Sequence, residues 1–324
     1  MERGQDRDGS AVAPERASAG GFDLCFGTPR KLPQPARLRG KVAVLDLAFA
    51  AEGGGSRGFE KTTARFIGAL GERLVAWVDH HDSLHHARFA ADPRFVLATK
   101  TEHGACPEMI TPELVARFAR PDTILCHGDL DGLASAAKWI LGGMEPYPGC
   151  DRDARAVDTC TGECSPAARS IERALRARPR DARLQELVVR HLVSGLRDRE
   201  LARELDAAAA ELDPLEAEAH RLAEGYRVLG PELAIVDVTG QRGRYDKTTL
   251  LLLGQRLSRA AAVADGESVT FAAPFDSGID FLARFGLSSG MPTVVSLPRS
   301  RLAEALHALG VAPELAGVLP AGRK

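Results

Sequence analysis

Cys126-His127-Gly128-Asp129-Leu130-Asp131-Gly132-Leu133-Ala134-Ser135-Ala136-Ala137 is the stretch that organises the chain. It follows Thr123-Ile124-Leu125, a short apolar run that reads as a buried strand, and Leu133 to Leu141 beyond it reads as a helix. A histidine and two aspartates therefore hold alternate positions on a strand-to-helix turn. Alternate residues of extended chain point the same way, so the three side chains can converge. Gly132 permits a tight turn, and Ser135 falls in the first helical turn, where backbone donors face anions. Three hard ligands in so short a span point to a divalent cation. The alternative is a surface turn in which the aspartates cap the helix.

A chain of 324 residues, 44% hydrophobic and 27% charged, has room for two ordinary globular domains. The formal net charge of -2 excludes a whole-surface polyanion binder, so any nucleic-acid groove has to come from local arginines. No apolar run reaches the roughly 18 residues of a membrane span, and residues 1–21 lack the apolar core of a signal peptide. The expected location is cytoplasmic, with no membrane partner. Six cysteines form no CxxC pair and read as reduced; Cys150, Cys160 and Cys164 are poorly spaced for zinc.

Residues 1–40 read as a flexible N-terminal arm, with Phe22, Leu24 and Phe26 able to dock on the body. Residues 41–50 read as a strand ending near Asp46. The loop Gly53 to Gly58 reads either as a plain linker or as a close approach to phosphate, and Thr62 to Leu70 as a helix. Leu74-Val75-Ala76-Trp77-Val78 makes a second strand running into Asp79-His80-His81-Asp82-Ser83. Two adjacent histidines flanked by aspartates at a strand's carboxyl end favour ligands over a structural histidine. His85, His86 and His103 read as loop residues, with His103 able to support the site. Residues 95–99 read as a strand and Thr111 to Ala119 as a capped helix. Residues 154–162 read as another apolar approach closed by Asp158. Four strands ending in Asp or His, each followed by a helix, imply a parallel sheet. The stretch 165–228 is helical, broken at Pro179 and Pro214. From Leu229 the pattern predicts a smaller mixed α/β unit. The division expected is arm 1–40, catalytic domain 41–195, helical connector 196–228 and second domain 229–324.

Taken together, Asp79-His80-His81 and His127-Gly128-Asp129-Leu130-Asp131-Gly132 resemble the DHH and HxDxDG motifs of the DHH phosphoesterase superfamily, which includes RecJ-type exonucleases, nanoRNases, cyclic-dinucleotide phosphodiesterases and family II pyrophosphatases. Asp158-Thr159-Cys160-Thr161-Gly162 resembles a later motif, and Leu45-Asp46 the lone strand-end Asp. The C-terminal part resembles the DHHA1 domain in Tyr245-Asp246-Lys247-Thr248, Val269-Thr270-Phe271 and Ser277-Gly278-Ile279-Asp280. The likeness spans residues 41 to about 310. It departs from the family in two places. The HxDxDG motif comes after the DHH motif, which reads as a circular permutation. The GGGH loop, due near residues 285–291, lacks its His and most of its glycines.

The resemblance implies an α/β fold, with a parallel-sheet DHH-type catalytic domain and a DHHA1-like substrate-binding domain. It implies two Mn²⁺ ions, with Mg²⁺ as the other candidate. His127 and Asp129 hold one ion, Asp131, His80 and Asp158 the other, and Asp46 bridges. Asp79 ligates or orients an imidazole, and His81 binds or polarises the phosphate. A hydroxide activated by the two metals then attacks phosphorus. Arg242, Arg244, Arg284, Ser288 and Ser289 are candidate phosphate contacts by position, the alternative for each Arg being a solvated surface residue. The function expected is a metal-dependent phosphodiesterase or nuclease acting on short oligonucleotides or a cyclic dinucleotide, with a homodimer as a further candidate partner. The competing readings are a pyrophosphatase-like hydrolase and a nucleotide-binding regulatory protein with weakened catalysis.

Overall fold

The structure, a computed structural model, describes residues 18–52 and 58–311. The chain runs through β1 (Ser18–Ala19), β2 (Phe22–Gly27), β3 (Val42–Leu45), α1 (Arg65–Leu70), β4 (Leu74–Asp79), β5 (Asp82–Ser83), β6 (Phe95–Leu97), α2 (Pro112–Ala116) and β7 (Thr123–His127). Helices α3 (Leu130–Ile140), α4 (Cys150–Asp158), α5 (Pro166–Ala177), α6 (Ala182–Val193), α7 (Arg199–Ala210) and α8 (Asp213–Ala223) follow. The remainder is β8 (Arg227–Val228), β9 (Leu233–Asp237), α9 (Lys247–Gln255), β10 (Ala260–Asp265), β11 (Ser268–Ala272), α10 (Phe281–Phe285), β12 (Ser289–Gly290), β13 (Val294–Pro298) and α11 (Leu302–Ala308). It is a mixed α/β protein.

The first sheet has the order β1-β2-β7-β3-β4-β6, parallel throughout except at β1/β2. Its central strands are apolar on both faces, as a parallel sheet covered on both sides requires. Ala43 and Leu45 pack with Val78, Ile124 and Cys126 under α3, α5 and α6, whereas Val42 and Val44 pack with Trp77, Leu125, Phe49, Phe59 and Phe66 on the opposite face. The Trp77 indole Nε1 donates to the Leu47 carbonyl at 3.0 Å, so this buried ring leaves no donor unmet.

Register places the chemistry. Leu45 of β3 pairs with Cys126 of β7 on one side and Val78 of β4 on the other. The next residue along each strand is Asp46, His127 and Asp79. They stand in one row at the carboxyl edge of the sheet, where open α/β sheets bind ligands.

The second sheet has the order β13-β11-β10-β9-β8, and only β9/β10 is parallel. Phe271, Phe281 and Phe285 fill one face and Val236, Leu250 and Val263 the other. A two-stranded ribbon joins β5 to β12, pairing Ser83 with Ser289 and Asp82 with Gly290. Leu84 N donates to Ser288 O at 2.9 Å beside it, and Arg176 on α5 pairs with Asp246 at the start of α9. Among the described residues no helix is long and apolar enough to cross a membrane.

Three local expectations are corrected. Residues 22–27, expected in a flexible arm, form β2 and pair with β7 from Asp23↔Thr123 to Gly27↔His127; Phe22 and Leu24 are buried at the period-two spacing of a strand. Residues 154–158, expected as extended chain, are the end of α4, whose buried Cys150, Asp153 and Ala154 recur at helical spacing behind acidic residues in the first turn. Asp158 therefore reaches the site from a helix, not a strand. Finally, α3 starts at Leu130 and not at Leu133, because Asp129 caps it by accepting from Gly132 N at 3.0 Å. Of the glycine-rich loop expected at residues 53–58, only Gly58 lies within the described residues.

Replacing Leu24 with Ala opens a cavity under α6 and is expected to cost about 2–5 kcal/mol, read as a lower urea midpoint. An unchanged midpoint would place residues 22–27 outside the sheet.

Candidate metal centre

Among the described residues, three groupings of acidic and imidazole side chains bring potential ligand atoms within 4.8 Å of one another: Asp46/His80/His81, Asp46/His127/Asp129 and His80/Asp131/Asp158. Asp46 belongs to two of them and His80 to two, so the three form one continuous cluster. The Asp of β3, the histidines after β4, the turn after β7, the first turn of α3 and the end of α4 all meet there. Residues as far apart as Asp46 and Asp158 thus share one rim.

Each imidazole is oriented. His80 is fully buried, and its Nδ1 lies 2.8 Å from the His103 carbonyl. That acceptor makes Nδ1 the protonated nitrogen and turns Nε2 toward the carboxylates. Nε2 lies 3.0 Å from Asp131 Oδ2 and 3.3 Å from Asp46 Oδ1. His81 Nδ1 donates to Asp79 Oδ1 at 2.8 Å, which assigns Asp79 the task of aiming His81; Asp79 stands outside all three groupings. His127 Nδ1 pairs with Asp129 Oδ2 at 2.6 Å. Asp131 is fixed by Cys106 N, which donates to its Oδ1 at 2.9 Å.

The electrostatics are those of crowded negative charge. Burial, reinforced by Asp131, raises the Asp46 carboxyl to about 6. Burial pulls the His80 imidazole down, but Asp131 and Asp46 outweigh it and hold it up at about 11. His127 is likewise drawn down by burial and lifted by Asp129, to about 9. Burial raises Asp129, but its pairing with His127 is stronger and leaves it well below the usual carboxylate range. The cluster gathers positive charge from whatever is near. Asp46 also holds a left-handed backbone, φ 54°, which a non-glycine residue adopts at a cost of order 1–3 kcal/mol. Asp79 Oδ2 is buried without a hydrogen bond, and Asp46 Oδ1, also short of one, has the 3.3 Å contact with His80 Nε2. Hard oxygen and imidazole donors gathered in this way fit a divalent cation.

Two residues the motif reading missed are part of this rim. Lys100 is 1% exposed; its Nζ lies 3.1 Å from His80 Nε2 and pairs with Asp158. Glu52 accepts from Phe59 N at 2.9 Å, faces His85 Nε2 at 3.1 Å and meets the Ser288 hydroxyl. Though burial raises it, those hydrogen bonds hold Glu52 down at about 2. Neither residue belongs to a motif. Lys100 had only its place beyond a strand end to mark it, and Glu52 only its place beside a glycine run.

Of the proposed phosphate contacts, Ser288 and Ser289 follow the second sheet's ribbon: the Ser289 hydroxyl is 2.7 Å from that of Ser83, two residues after His81, and the Ser288 hydroxyl donates to Glu52. Arg244 instead donates to the Ala177 carbonyl at 2.7 Å, at the far end of α5, and Arg242 and Arg284 are exposed outside the three groupings. All three are surface residues.

No protein-family model matches the chain, and no curated protein matches it. Among solved structures, a pGpG-specific phosphodiesterase, PggH from Vibrio cholerae, aligns with a TM-score of 0.35 at 10% identity over 51% of this chain and 69% of its own. The exonuclease RecJ bound to manganese aligns with a TM-score of 0.32 at 13% identity over 59% of this chain and 57% of its own. At these scores the likeness is slight and carries no weight of its own.

The turn that presents His127 and Asp129 depends on Gly132, where an added Cβ would stand 2.5 Å from the His127 carbonyl oxygen. Gly132→Ala is expected to lower stability by about 1–3 kcal/mol through forced overlap of backbone atoms. Equal denaturation curves for variant and wild type would show that the turn can relax freely.

Proposed function

We propose that this chain is a metal-dependent phosphodiesterase of the DHH type, with its motifs in permuted order, acting on short oligonucleotides or a cyclic dinucleotide. The observation that carries the reading is the position of Asp46. It stands between His80/His81 and His127/Asp129, joining two motifs that lie far apart in the sequence.

Asp46, His127 and Asp129 are the residues that would hold an ion. A divalent cation bound there, Mn²⁺ by its liking for mixed imidazole and carboxylate donors, neutralises phosphate charge and makes water acidic enough to attack near neutral pH. The chain supplies the positioning. His80, with Nδ1 committed to the His103 carbonyl, presents Nε2 to the cluster. His81, aimed by Asp79, has its Nε2 left for a non-bridging phosphate oxygen. Ser288 and Ser289 put hydroxyls beside the residues that follow His81, on the side where a phosphate would enter. The exposed Arg242, Arg244 and Arg284 take no part in this account. The formal net charge of -2 suits a short substrate over a long duplex.

Asp129→Ala is expected to lower Mn²⁺-dependent hydrolysis of an aryl phosphodiester, or of a dinucleotide, by at least about 100-fold. Equal inertness of wild type and variant, with a dinucleotide still bound, would mark a binding protein and end the hydrolase reading. A panel of dinucleotides, cyclic dinucleotides, single-stranded oligomers and pyrophosphate ranks the substrates. Mn²⁺ at roughly 100 times its dissociation constant should also stabilise the fold by about 2.7 kcal/mol, reversibly with a chelator. A melting temperature indifferent to Mn²⁺ would remove the metal from the account.

A further inference from the structure

We infer that the second cation of this site is built into the chain: the Lys100 ammonium occupies the place beside His80 and Asp158 that a second divalent ion would take, leaving one exchangeable metal. This rests on the metal-dependent reading above and narrows it.

The placement is the argument. Lys100 Nζ lies 3.1 Å from His80 Nε2 and is ion-paired with Asp158, and these are two of the three members of the His80/Asp131/Asp158 grouping. The side chain is 1% exposed, so the charge is enclosed with its partners and not merely near them. A lysine is almost never buried this deeply unless acidic groups demand it. A divalent ion in the same grouping would lie within a few ångströms of the ammonium. Like charges that close, with water excluded, repel far more strongly than on a surface.

The backbone that carries the lysine is also held. Its N donates to Asp82 Oδ2 at 3.1 Å. The turn that carries it is closed by Glu102, which accepts from Thr99 N at 2.7 Å and from the Thr99 hydroxyl at 2.8 Å. The same turn supplies the His103 carbonyl that orients His80. One backbone turn thus carries the ammonium and orients the imidazole beside it. Of the other two groupings, Asp46/His80/His81 shares His80 with the lysine, and Asp46/His127/Asp129 includes neither of its partners His80 and Asp158 and stays open. An ammonium has unit charge and three donors but cannot acidify water. Its part is to hold fixed positive charge against His80 and Asp158, while the exchangeable ion supplies the rest.

Equilibrium dialysis with elemental analysis, together with electron paramagnetic resonance of bound Mn²⁺, tests this. Wild type is expected to hold about one Mn²⁺ per chain, with the spectrum of an isolated ion. Lys100→Met, which keeps the stem's bulk and removes the charge, is expected to hold about two, with an exchange-coupled spectrum; Lys100→Arg should hold about one. A coupled pair in the wild type overturns the inference while leaving the metal-dependent reading intact, and so does a single ion in folded Lys100→Met. If Lys100→Met does not fold, wild type and Lys100→Arg decide: an isolated ion in both supports the inference, and a coupled pair in either defeats it. Wild type that binds no Mn²⁺ at all defeats the metal reading and takes this inference with it.

Discussion

Uncompensated negative charge at the edge of a parallel sheet is the constraint on which this molecule is built. Asp46, Asp79 and Asp131 are buried side by side with His80, and Asp129 and Asp158 close the ring. Carboxylates taken out of water are tolerable only where charge or hydrogen bonds meet them. The surroundings read as a set of such answers. Cys106 N is spent on Asp131, Gly132 N on Asp129, and the lysine of the Thr99 turn on Asp158. Asp79 Oδ2 makes no hydrogen bond, and Asp46 Oδ1 has the longer 3.3 Å contact with His80 Nε2.

The sheet explains how residues so scattered come together. Each parallel strand delivers its last residue to the same edge whatever its position in the chain. Asp46, Asp79 and His127 are neighbours because Leu45, Val78 and Cys126 are in register. Exchanging the order of segments along the sequence leaves that row intact as long as the strands keep their places. For this reason a shuffled motif order is compatible with an undisturbed site.

Much of this was legible in the residues. The apolar runs before Asp46, Asp79 and His127 identified the central strands, because buried parallel strands are apolar on both faces. The His127 turn announced itself through alternate His and Asp before a glycine. The errors have physical causes. Phe22, Leu24 and Phe26 alternate as a strand should, but sit in a Gly- and Pro-rich surrounding that hides a single short strand. Asp158 looked like a strand end because Ala154 to Val157 is short and apolar, and so short a run cannot tell a strand from the last turn of a helix. Lys100 was invisible, since a lone lysine after a strand is ordinarily solvated and only tertiary burial gives it a partner. The arginines stayed open in the sequence for the opposite reason: charge alone does not say which way a side chain faces.

The β5/β12 ribbon ties this chemistry to the second sheet. Its pairing begins one residue after His81, at Asp82↔Gly290, and is flanked by the Leu84 to Ser288 hydrogen bond. The two halves of the molecule are stitched through the backbone next to the imidazole that Asp79 aims. One backbone pairing thus joins the second sheet to the segment that follows that ring, and the position of Ser288 and Ser289 is fixed relative to His81 by strand register.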